Sequence, residues 1–351
     1  MNNQITIEKL DFEHLVMNNT KIAGVLPYIE GVIGSKFHLR CLSDKSVITS
    51  IDVTTYDKVN LNDDITAKDM AVLDAVSTIY LLGAKYFTLD QVIQIYSGRR
   101  CIDITDGMRR RIEDSITKLR HTSVEIDCTD EFLERERERI RKSNVEMSKC
   151  IEQEFLNHME TSRYIYEGNL LYLECVKSSA VYYSCNGKTS NKQIVYHFVN
   201  DLPPILLQYA QKVSQLRTIP IEYIYTNNNL DLSIVISRYL ISRVFTMQYL
   251  RKNRKPYVNK ISLSRYDRET QYYKGVMPYA GIKEEKNATW RKKKQRVCEI
   301  VEAQLNLLIE KKVIMGFAPY YSKRSLNSIS GYEIFLGNVS AEGYLKSVTE
   351  V

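Results

Sequence analysis

The residues of this chain best suited to chemistry are closely spaced cations. Trp290-Arg291-Lys292-Lys293-Lys294-Gln295-Arg296 opens a segment of helical propensity, Asn287 to Lys312. Its Val297, Ile300, Val301 and Leu308 share one face at about 100° per residue. Opposite that stripe stand Arg291, Lys292, Gln295 and Arg296. Such side chains read base edges in a duplex major groove: a guanidinium or ammonium donates to guanine O6 and N7, and a glutamine amide pairs with adenine N6 and N7. Lys293 and Lys294 suit phosphates, and the free amides of a helix N-terminus beside Thr289 and Trp290 favour an anion. The competing reading is a solvated helix start. Against it, cations at a helix N-terminus oppose the macrodipole at about a few tenths of a kcal/mol each, a cost that a bound polyanion would offset.

The wider charge distribution points the same way. The chain carries +7, yet residues 201–351 hold 24 Lys and Arg against 13 Asp and Glu, and residues 1–200 hold 25 against 29. Residues 238–296 alone concentrate 17 basic and 4 acidic residues, a local field suited to nucleic acid. Arg251, Lys252, Arg254, Lys255, Lys260, Arg265 and Arg268 precede the 287–312 helix and are candidates for phosphate contact. Lys323 and Arg324 occupy the turn between two alternating segments, Val313 to Tyr320 and Ser328 to Leu336, which read as a β-hairpin.

These side chains need a frame, and the pattern supplies it twice. Thr66 with Asp69 starts a helix that carries Val72, Leu73, Val76, Ile79 and Tyr80 on one face and ends at Gly83. A short helix from Leu89 to Tyr96 follows, closed by Gly98. A third begins after Thr105, with Met108, Ile112, Ile116 and Leu119 as its stripe. The strand SVEIDC (123–128) comes next, and a returning strand is expected within 164–185. Between them, residues 130–160 read either as an inserted helix or helical hairpin, with self-association as its use, or as a solvated charged arm. In the third helix Arg110 and Thr117 are candidate base readers, and Arg99, Arg100, Arg109 and Arg111 candidate phosphate contacts. Glu113 and Asp114 share that helix, so a protein interface competes with DNA there.

After Pro203-Pro204 the order repeats: helices over Leu206–Leu216 and Leu230–Leu250, a short helix over Ile261–Arg268, the 287–312 helix, then the hairpin. The expected fold is therefore α+β and helix-rich. An N-terminal mixed cap (1–64) precedes a first winged-helix domain (65–200, with the charged helical insertion 130–160). A second, basic winged-helix domain (201–340) and a C-terminal tail (341–351) complete it. In a winged helix the third helix enters the major groove and the wing lies along the backbone.

Other chemistries find little purchase. No GxxxxGK[ST] motif is present, which argues against ATP-driven activity. The histidines (His14, His38, His121, His158, His197) are isolated, so neither a metal site nor a nickase His pair is expected, and no cofactor is. The seven cysteines form no CxxC pair. The N-terminus lacks a signal-peptide pattern, and no apolar run approaches the roughly 18–20 residues of a membrane span. A cytoplasmic protein that neither spans nor binds a membrane is the expectation.

The stretches DMAVLDAVSTIYLLGAKYFTLDQVIQIYSG, IEDSITKLRHTSVEID and YEGNLLYLECV resemble replication initiator proteins of plasmids and related mobile elements. That resemblance implies tandem winged helices on repeated double-stranded DNA sites at an origin, and recruitment of host helicase or primase. It also implies homodimers that repress their own promoter. The chain is then a non-enzymatic, sequence-specific DNA-binding protein. A winged-helix transcriptional repressor is the alternative, and a nicking or recombining enzyme a third reading of a different class.

Overall fold

Side chains that can neither be left unpaired nor exposed dictate the centre of the molecule. A computed structural model describes residues 13–28, 35–40, 48–55, 64–84, 86–99, 102–143, 163–183, 189–199, 202–228, 230–267, 272–282, 288–322 and 325–337. The chain opens with β1 (His14–Asn18), α1 (Lys21–Val25), β2 (Ser35–Arg40) and β3 (Ile48–Thr55). Then comes α2 (Ala67–Leu81), capped as expected. Thr66 Oγ1 accepts from the Asp69 amide at 3.3 Å, and Asp69 Oδ2 accepts from the Thr66 amide at 2.8 Å. From Met70 to Ile79 every residue of α2 is buried, so the helix is a hub rather than an amphipathic surface element.

Strand β4 (Tyr86–Thr88) leads directly into α3 (Leu89–Ser97), where Thr88 and Gln91 form a second capping box. Gly98 ends α3 at φ 66°, a left-handed conformation that disfavours any side chain. Thr105 then caps α4 (Asp106–Arg120), which buries Ile112, Ser115, Ile116 and Leu119. Lys118 fastens α4 to α2 through a 3.0 Å ion pair with Asp69.

The strands that follow are β5 (Thr122–Asp127) and, beyond α5 (Thr129–Ser143), β6 (Ile165–Asn169). They pair antiparallel, but not as a wing. The other edge of β5 takes β3, giving a sheet ordered β2-β3-β5-β6. A strand with alternate residues Val124 and Ile126 buried has two edges to satisfy, and the N-terminal strands supply the second. The strand that joins β4 lies later, in the hairpin of β7 (Glu174–Tyr183) and β8 (Thr189–Val199), with order β4-β8-β7. Thus β5, α5 and β6 together interrupt the unit between its third helix and its hairpin. The start of α5 is docked on the body of the protein. Phe132 lies 3.9 Å from Tyr164 ring to ring, and Glu131 accepts a 2.6 Å hydrogen bond from Tyr209. The rest of the expected 130–160 insertion, from 144, lies outside the described residues, as do 1–12 and the tail from 338.

The second half runs through α6 (Ile205–Lys212), β9 (Leu216–Pro220), α7 (Leu230–Lys252), β10 (Lys260–Ser262), β11 (Arg265–Asp267), β12 (Tyr272–Lys274) and α8 (Val276–Tyr279). It ends with α9 (Ala288–Glu310), β13 (Gly316–Ser322) and β14 (Ser325–Phe335). Two sequence expectations are corrected here. Ile261–Arg268 begins as strands β10 and β11 rather than a helix, because β10 finds a ladder on β14. Residues 205–220, assigned to the second unit from the double proline, sit on the first: β9 pairs with β1, and α6 packs on β6. The sheet order β10-β14-β13 matches β4-β8-β7 position for position. In both halves a helix, a short strand, a short helix and a long helix precede a hairpin whose second strand takes the short strand. Gly331 makes the second sheet possible, since a Cβ there would lie 2.1 Å from the Ile261 carbonyl and 2.6 Å from Tyr320 Oη.

The two halves share one continuous core, joined where α2 meets α7. Asp74 and Arg238 form a buried ion pair across that joint, and Asp74 also accepts from the Asn18 amide at 3.1 Å. At the edge of the joint Asp231 accepts from Tyr96 at 3.0 Å and pairs with Arg111 at 3.0 Å. Buried Gln304 of α9 pins the connecting segment by accepting from the Tyr225 amide and donating to the Tyr223 carbonyl, each at 2.8 Å.

Candidate nucleic-acid interface

The long helix α9 divides cleanly along its circumference. Val297, Ile300, Val301, Gln304, Leu305 and Leu308 are buried, and Trp290 packs against the same core. Arg291, Lys292, Lys293, Gln295 and Arg296 are exposed. Arg291, Lys292 and Arg296 form no ion pair with any described residue. Lys294 turns toward the sheet and donates to Ser328 Oγ at 2.6 Å. That bond ties the first turns of α9 to the start of β14, beside the Ser322–Ser325 pair that closes the hairpin. Lys323 and Arg324 themselves lie outside the described residues, as do Arg100 and Arg268; Arg265 lies in β11, its side chain likewise outside the description.

Arg251, Lys252, Arg254 and Lys255 of the 238–296 stretch lie elsewhere. Gln248 of α7 donates to the Val313 carbonyl at 2.7 Å, and Arg251 to the Leu336 carbonyl at 2.8 Å. The last turn of α7 therefore meets the far end of α9, about 30 Å from Arg291 at 1.5 Å per residue. Arg251, Lys252, Arg254 and Lys255 sit there, exposed. Arg254 holds φ 53° just past the helix while the Lys255 amide closes back on the Leu250 carbonyl at 2.8 Å. At a helix C-terminus these charges complement the macrodipole and need no ligand to explain them. Lys260 lies in β10 with its ammonium 5.4 Å from the centre of the Tyr320 ring.

In the first half, most candidates on the corresponding helix α4 are already engaged. Arg109 forks onto Asp90 at 2.8 and 2.9 Å and reaches Asp106 at 3.0 Å. Arg111 pairs with Asp231, and Arg99 donates to Thr226 Oγ1 at 2.7 Å, so both serve the joint between halves. Arg110 is exposed and Thr117 half-buried, with exposed Asp114 between them on the helix.

Two polar groups of the α9 site escape a reading by charge alone. Ser328 orients Lys294 across the sheet, a contact that sequence spacing does not reveal. Glu299, exposed one turn beyond Gln295, accepts from its Nε2 at 3.1 Å; the i, i+4 spacing was the available signal. Among the described residues, no group of three or more His, Cys, Asp or Glu is placed to share a metal ion, and no helix is long and apolar enough to cross a membrane. Burial pushes the Cys128 thiol up to about 12.

No protein-family model matches the chain, and no curated protein matches it in sequence. Among solved structures, selenomethionine derivatives of domains 2 and 3 of RctB align with 90% of this chain and 96% of theirs. The identity is 13% and the TM-score 0.41. A second crystal structure of the same RctB domains aligns with 86% of this chain and 90% of its own, at 11% identity and a TM-score of 0.36. At TM-scores below 0.5 neither likeness bears on function.

Proposed function

We propose that the protein is a non-enzymatic, sequence-specific double-stranded DNA-binding protein that initiates replication of a plasmid or related mobile element. Its two halves act as tandem winged helices: α9 enters the major groove, and the β13–β14 hairpin follows the adjacent backbone. One observation carries this reading. Arg291 and Lys292 near the start of α9, and Arg296 about one turn on, stand exposed and form no ion pair with any described residue, beside the closing end of a hairpin. The first half, with Arg110 and Thr117 exposed or half-exposed, takes a second site or a second copy of the chain.

The test is footprinting of the full chain on the DNA flanking its gene, at two salt concentrations, beside the variant R291A/K292A/R296A. The wild type is expected to protect direct repeats. The variant is expected to fold normally and lose the footprint, with a salt slope shallower by up to about 0.9 per phosphate contact removed. Protection of one inverted repeat at a promoter would make the protein a repressor instead. Unchanged binding by the variant would remove α9 from the interface, and a covalent or nicked product would reassign the protein to an enzyme class.

A further inference from the structure

We infer that Glu299 is a base-reading residue that selects cytosine beside the adenine read by Gln295, an inference that rests on the DNA-binding reading of α9. The helix carries three carboxylates, each in a different setting. Glu302 is held against the sheet by a 2.9 Å hydrogen bond from Tyr332, and Glu310 closes the far end of the helix. Glu299 alone stands on the outward face near the cations, bonded to Gln295 at 3.1 Å.

A carboxylate on a surface that meets DNA repels the phosphates of every sequence equally. It is offset only where a base edge donates to it. Two groove edges donate, cytosine N4 and adenine N6, and adenine sets the N7 lone pair beside its donor. Cytosine is therefore the base a carboxylate accepts from without a neighbouring repulsion on the same base. The bond to Gln295 is compatible with this role. The glutamine amide nitrogen carries two hydrogens; one is directed to Glu299, which leaves the second for adenine N7 and the carbonyl oxygen for adenine N6. Side chains one helical turn apart advance about 5.4 Å along the helix, against about 3.4 Å per base pair along the duplex, so the two bases are adjacent or one step apart.

The experiment is selection from a randomised duplex pool with the full-length wild type, E299A and E299Q. Both substitutions fall at an exposed position and leave the core intact. The wild type is expected to enrich a cytosine next to, or one step from, an adenine. In E299A the cytosine preference alone is expected to fall about tenfold, while affinity for unrelated duplexes rises. E299Q is expected to move the preference at that position towards adenine. Identical preferences in wild type and E299A, with binding retained, would overturn the role of Glu299 and leave the DNA-binding reading standing. A wild type that enriches no sequence would overturn both.

Discussion

Asp74 is buried at the joint between the two halves, and its ionisation gives a measurable test of how that joint is held. Its partner Arg238 is as deeply buried, and one Nη of Arg238 has no hydrogen-bond partner among the described residues. Two effects compete on the carboxyl. Burial disfavours the anion, whereas the Arg238 charge and the Asn18 amide favour it. Burial wins, raising the carboxyl from its ordinary 3.8 to about 6. At about 1.36 kcal/mol per pH unit, that rise comes to about 3 kcal/mol.

The sign follows from which state holds the proton. Below about pH 4 the carboxyl is protonated whether the chain is folded or not. Between about 4 and 6 the unfolded chain releases its proton while the folded chain keeps it, so the free energy of unfolding falls as pH rises. Above about 6 the loss is complete. The substitution D74N removes this titration and leaves the others in place. In urea unfolding at pH values from about 3 to 7, the stability of wild type minus that of D74N is therefore expected to fall by about 3 kcal/mol and then level off. A difference that stayed flat, or rose with pH, would refute the reasoning. It would mean that attraction to Arg238 outweighs desolvation, and that the joint is held by an ion pair rather than in spite of one.

Two further outcomes test the frame and the site separately. Replacing Gly331 with Ala should cost about 1–3 kcal/mol, since the new methyl meets the Ile261 carbonyl and Tyr320 Oη; an unchanged thermal midpoint would mean that β10 does not close on β14 as described. The variant K252A/K255A should leave DNA affinity and its salt slope unchanged, because these cations lie at the far end of α9 from Arg291. A slope shallower by about two in binding titrations would instead put the duplex across both ends of the second half.

What the sequence made legible was local. Thr66 and Thr105 cap helices because a short hydroxyl side chain can reach a free amide two or three residues on. The face of α9 and the β13–β14 hairpin follow from spacing alone. The partners of strands were not legible. Nothing in SVEIDC distinguishes a wing strand from the middle of a sheet, since alternation specifies one buried face and says nothing of what lies along either edge. The same limit explains the arginines. Arg109, Arg111 and Arg291 are equivalent as letters, and only the fold sets Asp90 against the first, Asp231 against the second and solvent against the third.

That difference separates two units of the same topology. In the first, Arg109 and Arg111 at the start of the long helix are paired with carboxylates of the protein itself, and the helix serves to hold Asp231 and the beginning of α7. In the second, Arg291, Lys292 and Arg296 form no ion pair with any described residue, and the helix is anchored from behind by Gln304 and Tyr332. One topology, repeated, thus serves once as a joint and once leaves Arg291, Lys292 and Arg296 exposed. The consequence is mechanical. Arg111, Gln304 and the Asp74–Arg238 pair restrain the same stretch of chain between the halves, so the exposed face of α9 cannot swing freely relative to Arg110 on α4. A duplex that engages both must present its two sites at one spacing and one helical phase; inserting half a helical turn between them should abolish joint engagement while leaving binding through α9 alone.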